Sequence, residues 1–444
     1  MKAVPSYRDH VVGVETPIPL MNGTIAKAIN FDNAATTPPF ISVIQAIVNF
    51  SPWYSSIHRG TGCKSQFSSK LYEEAREEIA EFVRATGSSQ TVIFVKNATE
   101  AINKLAYRLC DSQDHGVVLS SCMEHHSNDL PWREKYTVDY IDIDEQGRLS
   151  LRDLAAKLEQ YQGRVKLVTV TGASNVTGYR NPIHQVAAMT HNYGAKILVD
   201  GAQLVPHTPF DMKPVSSPEH IDFLVFSAHK MYAPFGIGVL IGPKSAFEES
   251  CPDYKGGGTV DLVTHDFVRW APPPQKEEAG TPNLMGVMAL KESIRTLSSF
   301  GMDKIDRYET FLLYYALEKL RRIPDIELIG SHEHQNRVAI IPFNISGMPH
   351  GTTAAILSYE GGIAVRSGCF CAQPYVQRLL KIPPEEIHER IKDPHVPHPG
   401  LVRISFGLYN TREEIDTLAA LLQHIVLHKK AYLDKYQAIS PPIH

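Results

Sequence analysis

The sequence predicts an α/β protein whose larger part is built on a mainly parallel sheet. Between about residues 90 and 245, short runs rich in β-branched and other apolar residues alternate with helical patterns. Continuous apolar runs are typical of parallel strands that crossover helices cover on both faces. The predicted strands are Thr91–Val95, Val117–Leu119, Val165–Val170, Ile197–Val199 and Phe223–Phe226.

A change of pattern after about residue 295 predicts a second, smaller α+β domain. A long amphipathic helix is expected from Asp303–Arg322, followed by short strands near Val338–Ile341 and Ala364–Val365. Further helices are expected near Thr352–Tyr359 and from Arg412 to about Lys429.

The segment Pro383–Gly400 contains Pro394, Pro397 and Pro399. Prolines at this density disfavour regular structure, so the segment is predicted to be a surface loop or insertion.

Length and composition are those of a water-soluble globular protein. The chain has 444 residues, enough for two domains, with 43% hydrophobic and 21% charged residues. No uncharged apolar run has the length of a membrane span, so no membrane partner is expected. Residues 1–10 carry charges and lack the apolar core of a secretory signal. The predicted location is therefore the cytoplasm.

Charge and cysteine content argue against two further classes of protein. The net charge is −4, and lysines and arginines form no basic stripe, so a nucleic-acid partner is not expected. The six cysteines are dispersed except for Cys369 and Cys371, which is not the pattern of a disulfide-rich secreted protein. The sequence predicts reduced thiols.

Polar residues follow two of the predicted strands directly. Lys230 comes shortly after Phe223–Phe226, and Asp200 follows Ile197–Val199. Ligands of parallel sheets bind beyond the carboxyl ends of the strands. A lysine alone is usually a solvated charge, but a carboxylate at the end of a buried strand needs a cation or several donors. A lysine amine for a Schiff base and a carboxylate for a pyridinium nitrogen together predict pyridoxal 5'-phosphate.

A helix that opens near Ala98 is expected to hold the cofactor's phosphate. Its backbone N–H groups and the Thr99 hydroxyl lie just after a predicted strand, where anions bind helix N-termini. Alternatively, Thr99 is only the N-cap of this helix. Ser227 and His229, beside Lys230, are further candidate phosphate ligands.

Three more side chains are candidates for contact with the cofactor ring. His125 is placed to stack on the ring, while His125 and His126 together could instead bind a metal. No third ligand with regular spacing accompanies them, so no metal site is predicted. Asn175 and Gln203 are placed to meet the ring hydroxyl, although a loop asparagine also satisfies its own turn.

The second domain contributes two thiols and two arginines. Cys371 is the candidate nucleophile, and the charge of nearby Arg366 would favour its thiolate. Half a zinc site or two inert core thiols are alternatives for Cys369 and Cys371. Arg403 lies in a strand-like run, where it either binds a substrate carboxylate or forms a structural ion pair.

These residues resemble the class V aminotransferase-fold enzymes, and within them the group II (Suf-type) cysteine desulfurases and selenocysteine lyases. The similar segments run in family order over nearly the whole chain, from about residue 30 to 425. They are Asp32–Ala35, His58–Gly60, Asn97–Glu100, Glu124–Asn128, Val199–Gln203, Ser227–Lys230, Gly256–Thr259, Glu278–Asn283, the Cys371 loop and Arg403.

The resemblance implies the type I pyridoxal-phosphate fold, with a seven-stranded sheet in residues 22–295 and a small domain of residues 1–21 and 296–444. It also implies a homodimer in which Thr281 reaches the phosphate of the partner subunit. The same resemblance assigns Lys230 to the Schiff base and Arg403 to the substrate carboxylate. Cys371 would take sulfur from L-cysteine as a persulfide, release alanine and pass the sulfur to an acceptor protein.

The chain departs from the Suf-type pattern at Cys369, where those enzymes commonly have histidine, and Gly368–Cys371 is also similar to molybdenum-cofactor sulfurases. Cystine, cysteine or selenocysteine lyases, and aminotransferases or epimerases of the same fold, are alternative activities in which Cys371 is incidental. A scaffold that only binds a sulfur-transfer partner is a third hypothesis, which an intact Lys230 and Asp200 disfavour.

Overall fold

The computed structural model describes residues 7–85, 87, 89–110, 116–249, 251–330, 333–393, 395–396 and 398–437. Residues 1–6 of the predicted small domain, and Pro394 and Pro397 of the predicted loop, lie outside the described residues. The strands are β1 (Pro17–Pro19), β2 (Ile25–Lys27), β3 (Ile29–Asn30), β4 (Gln90–Val95), β5 (Val117–Ser121), β6 (Thr137–Ile141), β7 (Val165–Thr171), β8 (Lys196–Asp200), β9 (Phe223–Ser227), β10 (Gly238–Pro243), β11 (Val260–Val263), β12 (Val268–Trp270), β13 (Ile326–Leu328), β14 (Ile340–Ile345), β15 (Ile363–Ala364), β16 (Arg366–Gly368) and β17 (Leu401–Ser405).

The α-helices occupy much of the remaining described chain. They are α1 (Ile41–Phe50), α2 (Cys63–Phe82), α3 (Ala98–Leu109), α4 (Leu130–Arg133), α5 (Leu151–Gln160), α6 (Ile183–His191), α7 (Ser245–Glu248), α8 (Leu284–Phe300), α9 (Met302–Leu320), α10 (His350–Gly361), α11 (Gln373–Leu379), α12 (Pro384–Lys392), α13 (Arg412–Leu427) and α14 (Lys429–Gln437). None of these described helices is long and apolar enough to cross a bilayer.

The largest sheet within the described residues has seven strands in the order β4-β10-β9-β8-β7-β5-β6. Strand β10 is antiparallel to both of its neighbours, and β9, β8, β7, β5 and β6 are parallel to one another. The predicted α/β fold with a mainly parallel seven-stranded sheet is confirmed. The five strands predicted from individual apolar runs correspond to β4, β5, β7, β8 and β9.

Both faces of this sheet are buried, as the apolar runs predict. In β9, Phe223 and Val225 pack into one hydrophobic core, and Leu224 and Phe226 pack into another. Successive side chains of a strand point to opposite faces, so an uninterrupted apolar run fills both cores. Because β9, β8, β7, β5 and β6 run in the same direction, their carboxyl ends lie at the same end of the sheet.

The carboxyl-terminal part of the described chain has an antiparallel sheet in the order β13-β14-β17-β16. Helices α9, α10 and α13 share its separate hydrophobic core, as expected for an α+β unit. The predicted strand Val338–Ile341 begins at Ile340 and continues to Ile345. Strand β3, far earlier in the chain, pairs with β15. The domain boundaries at residues 21/22 and 295/296 stay a prediction.

The prediction that Pro383–Gly400 lacks regular structure is wrong for its first half, which is helix α12. Pro383 is the N-cap and Pro384 the first helical residue, a position where proline needs no N–H partner. Acidic side chains in the first turn and basic ones in the last turn favour the helix dipole. Proline density misled because the prolines on which it was based, Pro394, Pro397 and Pro399, all follow Lys392 in the sequence and therefore do not interrupt the helix.

A buried carboxylate ties helix α2 to the edge of the large sheet. Glu278 accepts two hydrogen bonds from Arg76, at 2.7 and 2.6 Å, and one from the Tyr72 hydroxyl at 2.8 Å. It also accepts from the backbone N–H of Phe94 in β4 at 2.7 Å. These donors compensate the burial of the carboxylate, which directly precedes the segment that contains Thr281.

Replacing Glu278 by Ala should therefore destabilise the protein strongly. The change removes the buried carboxylate partner of Arg76 and leaves this guanidinium with the more exposed Glu73, to which its Nε donates at 3.0 Å. Loss of one member of a buried ion pair typically costs about 3 to 5 kcal/mol. We expect the denaturant midpoint of Glu278→Ala to fall well below that of the parent. An exposed glutamate offers the matched control Glu145→Ala, which should unfold near the parent midpoint. Equal midpoints for the two variants would contradict this account.

Candidate active site

A cavity of about 340 Å³ lies beyond the carboxyl ends of the parallel strands, a volume suited to a small molecule. Every predicted site residue except one lines it. These residues are Ala98, Thr99, His125, Asn175, Asp200, Gln203, Ser227, His229, Lys230, Arg366, Cys371 and Arg403. The exception is Thr281, which is exposed and does not line the cavity within this single chain.

Asp200 and Lys230 face the same cavity from neighbouring strands. Asp200 ends β8, and Lys230 follows β9 in a short 3-10 turn, Ala228–Lys230. Burial raises the pKa of Asp200, which is 5% exposed and accepts from the Ala202 N–H at 3.0 Å. Burial also lowers the pKa of Lys230 to about 8, and the positive charge of Arg403 adds to this while Asp200 opposes it. The lysine is thus close to the neutral form that reacts with an aldehyde.

The N-terminus of α3 also lines the cavity, through Asn97, Ala98 and Thr99. The Asn97 side chain caps the helix by accepting from the Glu100 N–H at 3.0 Å, so the alternative of Thr99 as N-cap is wrong. Gly238 of β10 permits this packing, since an added Cβ would lie 2.6 Å from Asn97 Cα. The Ala98 N–H donates to Ser227 Oγ at 2.8 Å. Backbone donors and hydroxyls therefore gather where an anion would bind.

The two adjacent histidines have different surroundings. His125 accepts from the Ser127 N–H through Nδ1 at 3.1 Å, and burial, aided by the charge of Lys230, lowers its pKa to about 3. Its ring is therefore neutral at neutral pH. His126 accepts from the Gln373 N–H through Nε2 at 3.2 Å, outside the cavity. Among the described residues, no group of three or more His, Cys, Asp or Glu side chains is arranged to hold a metal.

Gln203 and Asn175 use their amide groups differently. Gln203 donates to the Ala34 carbonyl at 2.6 Å, and its buried Oε1 has no hydrogen-bond partner among the described residues. This oxygen is suited to accept from a hydroxyl of a ligand. Asn175 donates from Nδ2 to the Phe370 carbonyl at 2.7 Å, so that donor holds the Cys371 loop.

Arg403 is anchored by two protein oxygens. It is 3% exposed and donates to the Asn175 carbonyl at 2.9 Å and to Asp32 Oδ1 at 3.0 Å. Arg366 contacts the other oxygen of Asp32 at 2.7 Å. Arg403 therefore forms a structural ion pair with Asp32, which was one of the two predicted roles for this arginine. Its buried Nε has no hydrogen-bond partner within the described chain. This N–H stays available to an anionic substrate group.

Cys371 lies in a tight turn at the mouth of the cavity. The Ala372 N–H donates to the Cys369 carbonyl at 2.9 Å, and Phe370 and Cys371 have φ of 53° and 54°. Left-handed backbone costs a residue with a side chain about 1 to 2 kcal/mol, so outside contacts must hold this turn. Cys371 is exposed and thus not an inert core thiol.

The neighbouring thiol is placed differently. Cys369 does not line the cavity and donates from Sγ to the Pro399 carbonyl at 2.9 Å. Burial raises the pKa of this thiol, so it stays protonated near neutral pH. Of the two, only the exposed Cys371 reaches the cavity in the described chain.

Comparison with known proteins identifies the family. The family model described as "Aminotransferase class-V" matches residues 29–418. The chain belongs to the class-V aminotransferases. This confirms the family inferred from the strand-end residues and the motifs around them.

Individual relatives of this class-V aminotransferase are named as desulfurases. It is 34% identical over 398 residues to "Cysteine desulfurase" of Haloferax volcanii, covering 88% of this chain and 87% of the relative. It is also 34% identical to "Probable cysteine desulfurase" of Mycolicibacterium paratuberculosis, covering 95% of this chain but only 60% of that longer relative. The apo structure of a cysteine desulfurase from Thermococcus onnurineus NA1 superposes with a TM-score of 0.80 at 30% identity, covering 96% of this chain and 100% of that one.

The cavity fits pyridoxal 5'-phosphate, the cofactor of class-V aminotransferases. Asp200 is a buried carboxylate suited to a pyridinium nitrogen, and Gln203 Oε1 is a buried acceptor suited to a ring hydroxyl. Ala98 and Thr99 at the helix N-terminus are suited to a phosphate, and Lys230 to the aldehyde. The donor and acceptor types thus match the chemical groups of the cofactor.

The structure adds residues that the sequence did not single out. Asp32 joins Arg403 to Arg366, Ser127 bonds to the side chains of both Thr99 and His125, and Phe370 lies against the Arg403 guanidinium, 4.8 Å from ring centre to carbon. Asp32 and Ser127 stand in family-like segments, but nothing local indicated a role for them. Asp32 and Arg403 are 371 residues apart, so only the fold brings them together.

The depressed pKa of Lys230 should govern how fast the cofactor-free protein takes up pyridoxal 5'-phosphate. Only the neutral amine attacks the aldehyde, and its fraction rises as pH passes through about 8. Between pH 7 and 9 the uptake rate, followed by visible absorbance, should rise and begin to level. A rate that keeps rising about tenfold per pH unit through pH 9 would indicate a lysine with an ordinary pKa of about 10.4. That result would contradict the lowered pKa of Lys230.

Proposed function

We propose that this protein is a pyridoxal-phosphate-dependent cysteine desulfurase that converts L-cysteine to L-alanine and takes the sulfur onto Cys371. The observation that carries this proposal is that Cys371, Lys230 and Arg403 line one small cavity although they come from different parts of the fold. The names of relatives that match most of the chain support the same activity.

In this proposal, each polar side chain of the cavity has a separate task. When bound, pyridoxal 5'-phosphate supplies an aldehyde for amines and a ring that accepts electrons from the substrate carbon. Lys230 Nζ holds and returns protons, since its pKa of about 8 permits both forms near neutral pH. Asp200 would keep the ring nitrogen of the bound cofactor protonated, and the neutral His125 ring would pack against the cofactor ring. Arg403 orients the substrate carboxylate.

The sulfur step needs no added oxidant or reductant. The Cys371 thiolate forms a bond to the substrate sulfur as the carbon–sulfur bond breaks. The electron pair of that bond stays with the carbon, which then gains a proton. The net change is L-cysteine plus a Cys371 thiol to L-alanine plus a Cys371 persulfide. Because Cys371 is exposed, a thiol of an acceptor protein could approach its outer sulfur.

A second copy of the chain is proposed to complete the site. Thr281 is exposed, and in a homodimer it would contact the phosphate in the partner's cavity. Exposed apolar side chains on α1 and on the β11–β12 hairpin support such a contact, among them Val48, Val263 and Phe267. Within this dimer we propose a large domain of residues 22–295 and a small domain of residues 1–21 and 296–444.

A cytoplasmic location is part of the same proposal. All six cysteines carry free thiols in the structure, as a reducing compartment requires.

Replacing Cys371 by Ser tests the function directly. A hydroxyl cannot accept the substrate sulfur, so alanine formation from L-cysteine should fall at least about a hundredfold while the bound cofactor is retained. Cys369→Ser is the matched control, since Cys369 lies two residues away but outside the cavity. It should retain activity within about threefold.

The products separate the desulfurase from its alternatives. Pyruvate in place of alanine, with full turnover in Cys371→Ser, would identify a lyase and overturn the proposal. Absence of turnover in a parent protein that binds no cofactor would instead support a scaffold.

A further inference from the structure

His126 holds the Cys371 turn from two sides, although it does not line the cofactor cavity. Its backbone N–H donates to the Cys371 carbonyl at 2.6 Å. Its ring Nε2 accepts from the Gln373 N–H at 3.2 Å. His126, which lies in the turn after β5, is thus hydrogen-bonded to the backbone on both sides of Ala372.

The turn needs such contacts because its own sequence does not favour it. Two consecutive positive φ angles are typical of type I′ turns, which prefer Asn and Gly at these positions, whereas here they fall on Phe370 and Cys371. Helix α11 follows at once, and its N-cap Ala372 has no side-chain hydrogen bond to offer. The first N–H groups of a helix require partners from elsewhere. The His126 ring supplies one.

His126 is itself fixed to the core of the large domain. It begins the 3-10 turn His126–Asn128. Buried Asn128 donates to Glu124 at 2.6 Å and accepts from the Thr169 hydroxyl at 2.7 Å. Burial also lowers the pKa of His126, which keeps the ring neutral and able to accept a hydrogen bond. The Cys371 turn is therefore bonded to a segment that is itself hydrogen-bonded to strand β7.

We propose that His126 is a positioning residue for the nucleophile: its ring acceptor holds the Gln373 N–H and so keeps the Cys371 thiol directed into the cofactor cavity. This inference rests on the proposed function, because it concerns the thiol that takes the sulfur. It gives adjacent histidines separate tasks, with His125 at the cofactor and His126 at the thiol.

Two substitutions separate the ring acceptor from simple packing. His126→Leu fills similar space without an acceptor, whereas His126→Gln places an amide oxygen near the position of Nε2. In the holoenzyme, we expect the first turnover of L-cysteine to alanine to slow about tenfold in His126→Leu. His126→Gln should recover to within about threefold of the parent. The KM for cysteine and the cofactor absorbance should stay unchanged. Exposed His388 on α12 provides the control His388→Leu.

Amide hydrogen exchange gives a readout that does not depend on the chemistry. The peptide that contains Gln373 should exchange about tenfold faster in His126→Leu than in the parent, and His126→Gln should restore protection. If the parent forms no alanine from cysteine but exchange responds in this way, the proposed function has failed, whereas the role of the His126 ring in holding the Cys371 turn is supported. Unchanged amide exchange and an unchanged first turnover in His126→Leu would overturn the proposal that the His126 ring positions the Cys371 thiol. Equal losses in the Leu and Gln variants, or loss of cofactor absorbance, would also overturn it.

Discussion

The site depends on one electrostatic constraint: a buried carboxylate and a buried amine face one cavity from neighbouring strand ends. Asp200 and Lys230 are each costly to bury as isolated charges, and burial shifts both pKa values toward the neutral forms. The parallel sheet makes this arrangement possible, because the carboxyl ends of the neighbouring strands β8 and β9 lie side by side. A cation that binds Asp200 and an aldehyde that consumes the lysine amine would relieve both costs together.

The second constraint is mechanical and concerns the loop that carries the thiol. The Cys371 turn has an unfavourable backbone, and residues that follow two strands of the seven-stranded sheet hold its two central carbonyls: Asn175 bonds to Phe370 and His126 to Cys371. Arg403 packs against the Phe370 ring and donates to the Asn175 carbonyl, so Arg403 and the Cys371 turn share contacts. The Arg403 guanidinium and the Cys371 turn are thus connected through a few direct contacts.

Apolar runs and the polar residues after them were enough to predict the sheet and most of the cavity. Asp200, Lys230 and the start of α3 were predictable because each directly follows a buried strand, and topology gathers such positions at one edge. Contacts between distant segments were not predictable in this way. The Asp32 bridge between Arg366 and Arg403 needs β16 and β17 to lie side by side. The bond between His126 and Gln373 joins segments 247 residues apart. Helix α12 was missed because prolines that follow its last residue, Lys392, were taken to disfavour regular structure over the whole segment.

Borohydride reduction of the pyridoxal-phosphate-loaded protein, followed by mass spectrometry of its peptides, tests whether Lys230 is the amine that holds the cofactor. Reduction fixes the cofactor to the amine that holds it. We expect a single pyridoxyl group on the peptide that contains Lys230, and no such group on this peptide when Lys230 is replaced by Ala. A pyridoxyl group on another lysine, such as the exposed Lys96, with Lys230 unmodified, would show that Lys230 is not the residue that holds the cofactor.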